Sequence, residues 1–285
     1  MPELPEATTI SYQLKNYLNL SKNFNEHYYS KVVLKKINIY KNSIIKNIEL
    51  SNELVNKNLE EISNYGKIVY FKFSDNYWVL FHLALTGALL IKELLNQDKL
   101  NYFEKYKIIE FIFIDNNEKD IKERVIFFSA KRLFEKIVFI KDSNPFKKYG
   151  PPFNKLKPMD FINILSKVKK PIKVALMDQG LISGIGNIYA IESLFCAKIS
   201  PLRKANDITI QEYYKLYNCL KEILKESIKN RGSTISDYVD ALGQYGNYQN
   251  FHKIYNKPKC FECNSKTKRI KLEDRITYYC PNCQK

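Results

Sequence analysis

Ile172-Lys173-Val174-Ala175-Leu176-Met177-Asp178-Gln179-Gly180-Leu181-Ile182-Ser183-Gly184-Ile185-Gly186-Asn187-Ile188-Tyr189-Ala190 lies past the middle of a chain of 285 residues. It reads as two helical patterns, Ile172 to Asp178 and Asn187 to Cys196, joined by a glycine-punctuated turn. Gly184 and Gly186 let a backbone approach a ligand. Asn187 stands at the N-cap of the second helix, whose start offers N–H groups to a phosphate. Taken alone, such a turn is more often a plain helix-to-helix connection, so its weight depends on what flanks it.

On the C-terminal side a helical pattern runs from Ile208 to Asn230, then a glycine-punctuated loop from Arg231 to Asn250. The chain closes with Cys260-Phe261-Glu262-Cys263 and Cys280-Pro281-Asn282-Cys283, a C-x2-C-x16-C-x2-C pattern. Four thiolates at that spacing suit one tetrahedral, structural Zn2+ better than disulfides. Five Lys or Arg lie between Lys266 and Tyr279, so the hairpin inside the clip presents cations. That is the anatomy of a small zinc finger that touches phosphates; the plain alternative is a ribbon that only staples the C-terminus.

On the N-terminal side Met159 to Val168 is helical, and Lys141 to Pro158, with five prolines and glycines, has the composition of a linker. From Val32 to Ile140 the pattern changes to short β-branched and aromatic segments: Lys67 to Phe73, Tyr77 to Leu83, Ile108 to Ile114 and Val125 to Phe128. Turns at Ser74-Asp75-Asn76 and Asp115-Asn116-Asn117 break them. Residues 2 to 20 read as a helix, with Pro2 and Pro5 in its first turn, Glu3 and Glu6 at the positive end of its dipole, and Ile10, Leu14, Tyr17 and Leu18 at helical spacing. The expectation is an α+β chain: an antiparallel β-sandwich domain with an N-terminal helix over 1–140, a linker over 141–158, a helical domain over 159–250 and a four-Cys zinc finger over 251–285.

Against 30 Asp and Glu stand 46 Lys and Arg, a formal charge of +16 that favours a polyanionic partner. No run of eighteen apolar residues and no signal-peptide pattern occurs, which predicts an intracellular protein that is not secreted and has no membrane partner. Outside the finger only Cys196 and Cys219 remain, both in apolar helical surroundings where unpaired buried thiols are expected, in keeping with a reducing compartment.

The 172–190 stretch resembles the helix-two-turn-helix of the formamidopyrimidine-DNA glycosylase and endonuclease VIII family. Pro2-Glu3-Leu4-Pro5-Glu6, Tyr65-Gly66-Lys67, His82-Leu83-Ala84-Leu85-Thr86-Gly87, Arg231-Gly232-Ser233-Thr234 and the four-Cys finger match it too, in order over essentially the full chain. The Pro-Glu-Leu-Pro-Glu start looks like the formamidopyrimidine type. The resemblance implies a bifunctional DNA glycosylase and abasic-site lyase that removes oxidised purines, 8-oxoguanine and formamidopyrimidines, from duplex DNA as a monomer. It further implies that Pro2, exposed by loss of Met1, is the nucleophile, Glu3 the proton shuttle, and Lys67 and Arg275 the cations at the reacting nucleotide. His82, Lys173 and Asn187 would hold the backbone, Thr234 would belong to the loop that caps the extruded base and orders only around it, and Cys260, Cys263, Cys280 and Cys283 would bind zinc.

An extruded base leaves a void that apolar or cationic side chains fill. The family uses Met, Arg and Phe; here Leu85 replaces the Met, and Arg132 and Phe134 align with the other two. A shift of one residue offers Lys131 and Leu133 instead. Ala7-Thr8-Thr9 stands where the family often has Val-Glu-Thr, and Asn247 takes an aromatic position in the capping loop. These departures allow a shifted base preference, with an oxidised-pyrimidine glycosylase of endonuclease VIII type as the alternative; a second alternative, a non-catalytic binder of damaged DNA, is opposed by the intact Pro2, Glu3 and Lys67.

Overall fold

The computed structural model describes residues 2–20, 32–115 and 122–285, in two compact units. The first comprises residues up to Phe146 together with Arg231–Asn247; the second comprises Lys147–Asn230 and Tyr248–Lys285. Residues 231–247 therefore pack with the β domain, although their sequence position assigns them to the helical one.

The first unit opens with α1 (Leu4–Tyr17), followed by β1 (Val32–Ile39), β2 (Ile45–Lys46), α2 (Ser51–Leu54), β3 (Leu59–Tyr65), β4 (Ile68–Phe73), β5 (Tyr77–His82), β6 (Ala88–Ile91), α3 (Gln97–Glu104), β7 (Lys107–Asp115), β8 (Glu123–Ser129) and β9 (Lys136–Lys141). Four strands form one sheet, ordered β1-β7-β8-β6, and five form the other, β2-β9-β5-β4-β3. The ladders are antiparallel, except that β2 pairs with β9 in parallel over Ile45↔Ile137 and Lys46↔Val138. Asp75 and Asn76 both take left-handed φ at the turn expected there, a conformation Asp and Asn tolerate. The turn expected at Asn116-Asn117 lies outside the described residues.

Alternate residues of facing strands make the core. Phe71 and Phe81 of the five-stranded sheet meet Phe111 of the four-stranded sheet edge-on at 5.7 and 5.8 Å, and Phe81 stacks on Phe128 at 5.9 Å. Ala7, Ile10 and Leu14, on one face of α1, join this core.

The second unit holds α4 (Pro158–Leu165), α5 (Ile172–Met177), α6 (Asn187–Ala197), α7 (Ile210–Lys229) and the hairpin β10 (Lys268–Leu272) and β11 (Arg275–Tyr279). Thr209 and Glu212 close a capping box at the start of α7. Cys196 and Cys219 are disulfide-bonded with Cα atoms 5.9 Å apart, not unpaired thiols, and Cys196 is exposed. Packing of α6 beside α7 brings together two cysteines 23 residues apart, a proximity that sequence spacing does not reveal. The cysteine usage therefore no longer speaks for a reducing compartment. Among the described residues no helix is long and apolar enough to cross a membrane.

Candidate functional site

Pro2 and Glu3 precede α1, and both are buried. Glu6 joins that start to a distant loop: its Oε2 accepts the Glu3 N–H at 2.7 Å and its Oε1 accepts the Ser233 N–H at 2.7 Å. Gly232 makes this approach possible. Its φ is +78°, and a Cβ there would lie 2.6 Å from both Cγ and Oε1 of Glu6. The sequence marked Glu6 only as a helix starter; the signal available was the pairing of an N-terminal acid with an Arg-Gly-Ser-Thr turn.

The 231–247 loop is held by its own hydrogen bonds and by bonds to α1. Thr234 Oγ1 donates to the Tyr238 carbonyl at 2.9 Å and accepts the Gly246 N–H at 2.8 Å. Fully buried Asp240 accepts from Gln13 Nε2 on α1 at 2.9 Å and from the Leu242 and Gln244 amides, while Arg231 lies 3.9 Å from its carboxylate. Burial, with Glu6 and Asp240 nearby, pushes the Tyr238 phenol well above its ordinary pKa, which keeps it a neutral donor to the Arg231 carbonyl at 3.1 Å.

Lys67 occupies the two-residue turn between β3 and β4, beside Gly66 at φ 57°. Ser11 of α1 donates to Asn64 Oδ1, and Asn64 Nδ2 donates to the Gly66 carbonyl at 3.0 Å, so α1 helps to set the turn that carries Lys67. His82 ends β5, half-buried. Leu85, Arg132 and Phe134 lie on exposed connectors, Phe134 at 71 % exposure and Leu133 at 42 %. Lys131 turns its ammonium over the Tyr106 ring at 6.0 Å.

In the second unit, Gly186 and not Asn187 is the N-cap of α6; Asn187 is the first helical residue. Its Nδ2 donates to the Ile276 carbonyl of β11 at 3.1 Å, which ties the finger hairpin to the helix start. Gln179, which the sequence reading passed over, braces the turn by donating to the Met177 and Ile185 carbonyls and accepting the Gly184 amide. Glu192 accepts three consecutive amides, Lys253, Ile254 and Tyr255, at 2.7 to 3.0 Å, and burial pushes its pKa up against those bonds. Arg275 is exposed where the hairpin turns, and it lines, with Lys170, Lys173 and Asp178, a cavity of about 360 Å3. Lys173 is only 1 % exposed.

The sulfurs of Cys260, Cys263, Cys280 and Cys283 all lie within 4.8 Å of one another. Cys260 and Cys283 sulfurs are 3.8 Å apart, and those of Cys263 and Cys280 are 3.5 Å apart. Thiolates about 2.3 Å from a tetrahedral zinc would be separated by about 3.8 Å, so the cluster fits that ion.

Two family models match the chain: the formamidopyrimidine-DNA glycosylase N-terminal domain over residues 1–136 and the formamidopyrimidine-DNA glycosylase H2TH domain over residues 149–239. A formamidopyrimidine-DNA glycosylase of Wolbachia sp. subsp. Drosophila simulans is 37 % identical over 290 residues, covering all of both chains. A solved structure of a mutant Lactococcus lactis Fpg with Fapy-dG-containing DNA is similar with a TM-score of 0.79, at 27 % identity and 99 % coverage of each chain. The wild-type Lactococcus lactis Fpg solved with DNA containing an oxidised pyrimidine gives a TM-score of 0.78, again at 27 % identity and 99 % coverage of each chain.

Proposed function

The chain belongs to the formamidopyrimidine-DNA glycosylase family, and we propose that it excises oxidised purines from duplex DNA and then cleaves the abasic strand, with Pro2 as the nucleophile. The observation that carries this reading is the Glu6 bridge, which fastens the Pro2-Glu3 start to the Arg231–Asn247 loop through two buried bonds of 2.7 Å. A nucleophile and the loop that caps its substrate are thereby held as one piece.

Loss of Met1 exposes the secondary amine of Pro2, whose reference pKa of roughly 8 leaves a useful neutral fraction at pH 7. Its lone pair attacks C1′ of the damaged nucleotide, the bond from C1′ to the base breaks, and the base leaves with a proton as the proline nitrogen gives up its own. Glu3 supplies the proton that opens the sugar ring at its oxygen. The resulting iminium is cationic because the nitrogen is secondary. It draws electrons as a C2′ proton departs and the 3′ phosphate is eliminated, and again as a C4′ proton departs and the 5′ phosphate is eliminated.

The remaining assignments follow the same alignment. Lys67, His82, Lys173, Asn187 and Arg275 grip the phosphates; Leu85, Arg132 and Phe134 fill the void; Thr234 closes the capping loop. Asn187 Nδ2 donates one hydrogen to Ile276, and the start of α6 meets a phosphate through its backbone N–H groups and the second Nδ2 hydrogen. Lys131, turned toward Tyr106, favours Arg132 as the probe of the orphaned base. One Zn2+ on the four cysteines would be structural, holding the hairpin that carries Arg275. The partner is damaged duplex DNA, and the protein acts as a monomer inside the cell.

Borohydride trapping tests the reading. Protein with its native start is incubated with an 8-oxoguanine·cytosine duplex and reductant, and the crosslink is mapped by mass spectrometry. An adduct on Pro2 is expected. An adduct only with an oxidised pyrimidine would favour the endonuclease VIII-type reading, which the Thr8 and Asn247 departures support. No adduct with either substrate or with a bare abasic site, from protein lacking Met1, would leave a binder.

A further inference from the structure

Two connectors cross between the sheets of the first unit side by side. Residues 83–87 run from β5 to β6, and residues 130–135 run back from β8 to β9. They are pinned at one end by the pair His82↔Lys136 and at the other by Ala88↔Ser129. Their crowns carry the exposed Leu85, Arg132 and Phe134.

A single rung joins them from beneath. Glu135 is 3 % exposed, and its Oε1 accepts both the Thr86 N–H at 2.9 Å and the Thr86 hydroxyl at 2.8 Å. With its proton given to Glu135, the Thr86 oxygen accepts the Arg132 N–H at 3.1 Å. Gly87 leaves room for this carboxylate, since a Cβ there would lie 2.8 Å from Glu135 Cγ and 2.6 Å from the Leu83 carbonyl. On either side of the rung, Ala84 and Leu133 hold left-handed φ of 42° and 57°, a conformation unfavourable for residues with a Cβ. Burying the carboxylate is itself unfavourable, because its Oε2 has no hydrogen-bond partner among the described residues.

We propose that Glu135 is a positioning residue for base extrusion. Through Thr86 it sets the void-filling connectors before DNA arrives, so that the ordering of Leu85, Arg132 and Phe134 is not charged to the step in which the lesion leaves the stack. This rests on the reading of those side chains as void fillers. It predicts that the rung matters where a base must be extruded from a duplex, and not where the sugar is already free.

The test compares wild type, Glu135→Ala, Glu135→Gln and Thr86→Val in single-turnover excision of 8-oxoguanine from a duplex and in strand cleavage at an abasic site in single-stranded DNA. Glu135→Ala should slow duplex excision roughly tenfold, and Thr86→Val, which keeps the Thr86 N–H bond to Glu135 but loses both hydroxyl bonds, should slow it several-fold, with single-strand cleavage within about twofold of wild type in both. Glu135→Gln, which retains an acceptor for Thr86, should recover part of the loss. A 2-aminopurine opposite the lesion should report weaker or slower unstacking in the two impaired variants, which a general loss of stability would not produce. Equal losses on both substrates, or full duplex activity in Thr86→Val, would overturn the proposal. Thr86→Val removes no charge, so it decides the matter even if Glu135→Ala does not fold. Failure of the wild type on both substrates would instead sink the function proposed above.

Discussion

Glu6 Oε1 accepts the Ser233 amide at 2.7 Å, a buried bond between residues 227 positions apart. Gly232 sits against the same carboxylate at φ +78°. A methyl group there would be strained by about 1–2 kcal/mol from the backbone alone and would displace Glu6. Gly232→Ala should therefore reduce excision at least tenfold while the protein stays folded, measured as single-turnover rate beside a thermal melt. Wild-type excision in a folded Gly232→Ala protein would mean that the bridge is not needed for chemistry.

The two ends of that bridge show what sequence could and could not reveal. Helical spacing of Ile10, Leu14 and Leu18 located α1, and the run of β-branched and aromatic residues from Lys67 to Phe73 located β4, because each pattern records a neighbour close in sequence. The four cysteines were legible for the same reason: ligand spacing is a local property. Glu6 with Ser233, Glu192 with Ile254, and Cys196 with Cys219 are meetings of distant segments, and no local signal encodes them. Asn187 shows a subtler limit. Its place at a helix start was readable, but whether it or Gly186 caps the helix depends on backbone angles that Gly186 adopts freely.

Acid should weaken the second unit through His252. Burial first, then the charge of Lys257, holds its pKa at about 4, against an ordinary value of 6.5. A depressed value means that the neutral ring is favoured in the fold, so its contribution is complete above pH 6.5 and is lost as pH falls toward 4. At about 1.36 kcal/mol per unit this amounts to about 3 kcal/mol. Glu192, raised by burial, acts in the opposite direction, since its contribution is lost as pH rises. Urea unfolding between pH 4 and 7 should thus show a smaller loss on acidification in His252→Phe and a larger one in Glu192→Gln than in wild type. Identical slopes in all three would contradict both assignments.

Metal removal should separate the finger from the rest. With all four sulfurs within 4.8 Å, chelation or Cys280→Ser removes the link that joins the two Cys pairs on either side of β10 and β11. DNA affinity should fall below detection in a filter-binding assay, while near-ultraviolet dichroism of the aromatic-rich β-sandwich persists. Unaltered affinity in metal-free protein would confine zinc to a role away from DNA.

Salt dependence distinguishes a phosphate grip from a packed lysine. If Lys67, Lys173 and Arg275 each meet a phosphate, the logarithm of affinity should fall with the logarithm of salt at a slope of about −2.7. Arg275, exposed at the hairpin turn, should contribute about one to that slope, and Arg275→Ala should remove it. Lys173 is the harder case, because it is 1 % exposed and lines the same cavity as Arg275. A phosphate that reached this buried ammonium would meet it with less water between them than at an exposed arginine, so the charge pair would be stronger. Lys173→Met should therefore cost more affinity than Arg275→Ala and flatten the slope by the same amount. A Lys173→Met protein with lowered stability and an unchanged slope would show that this lysine supports the helices and never meets DNA.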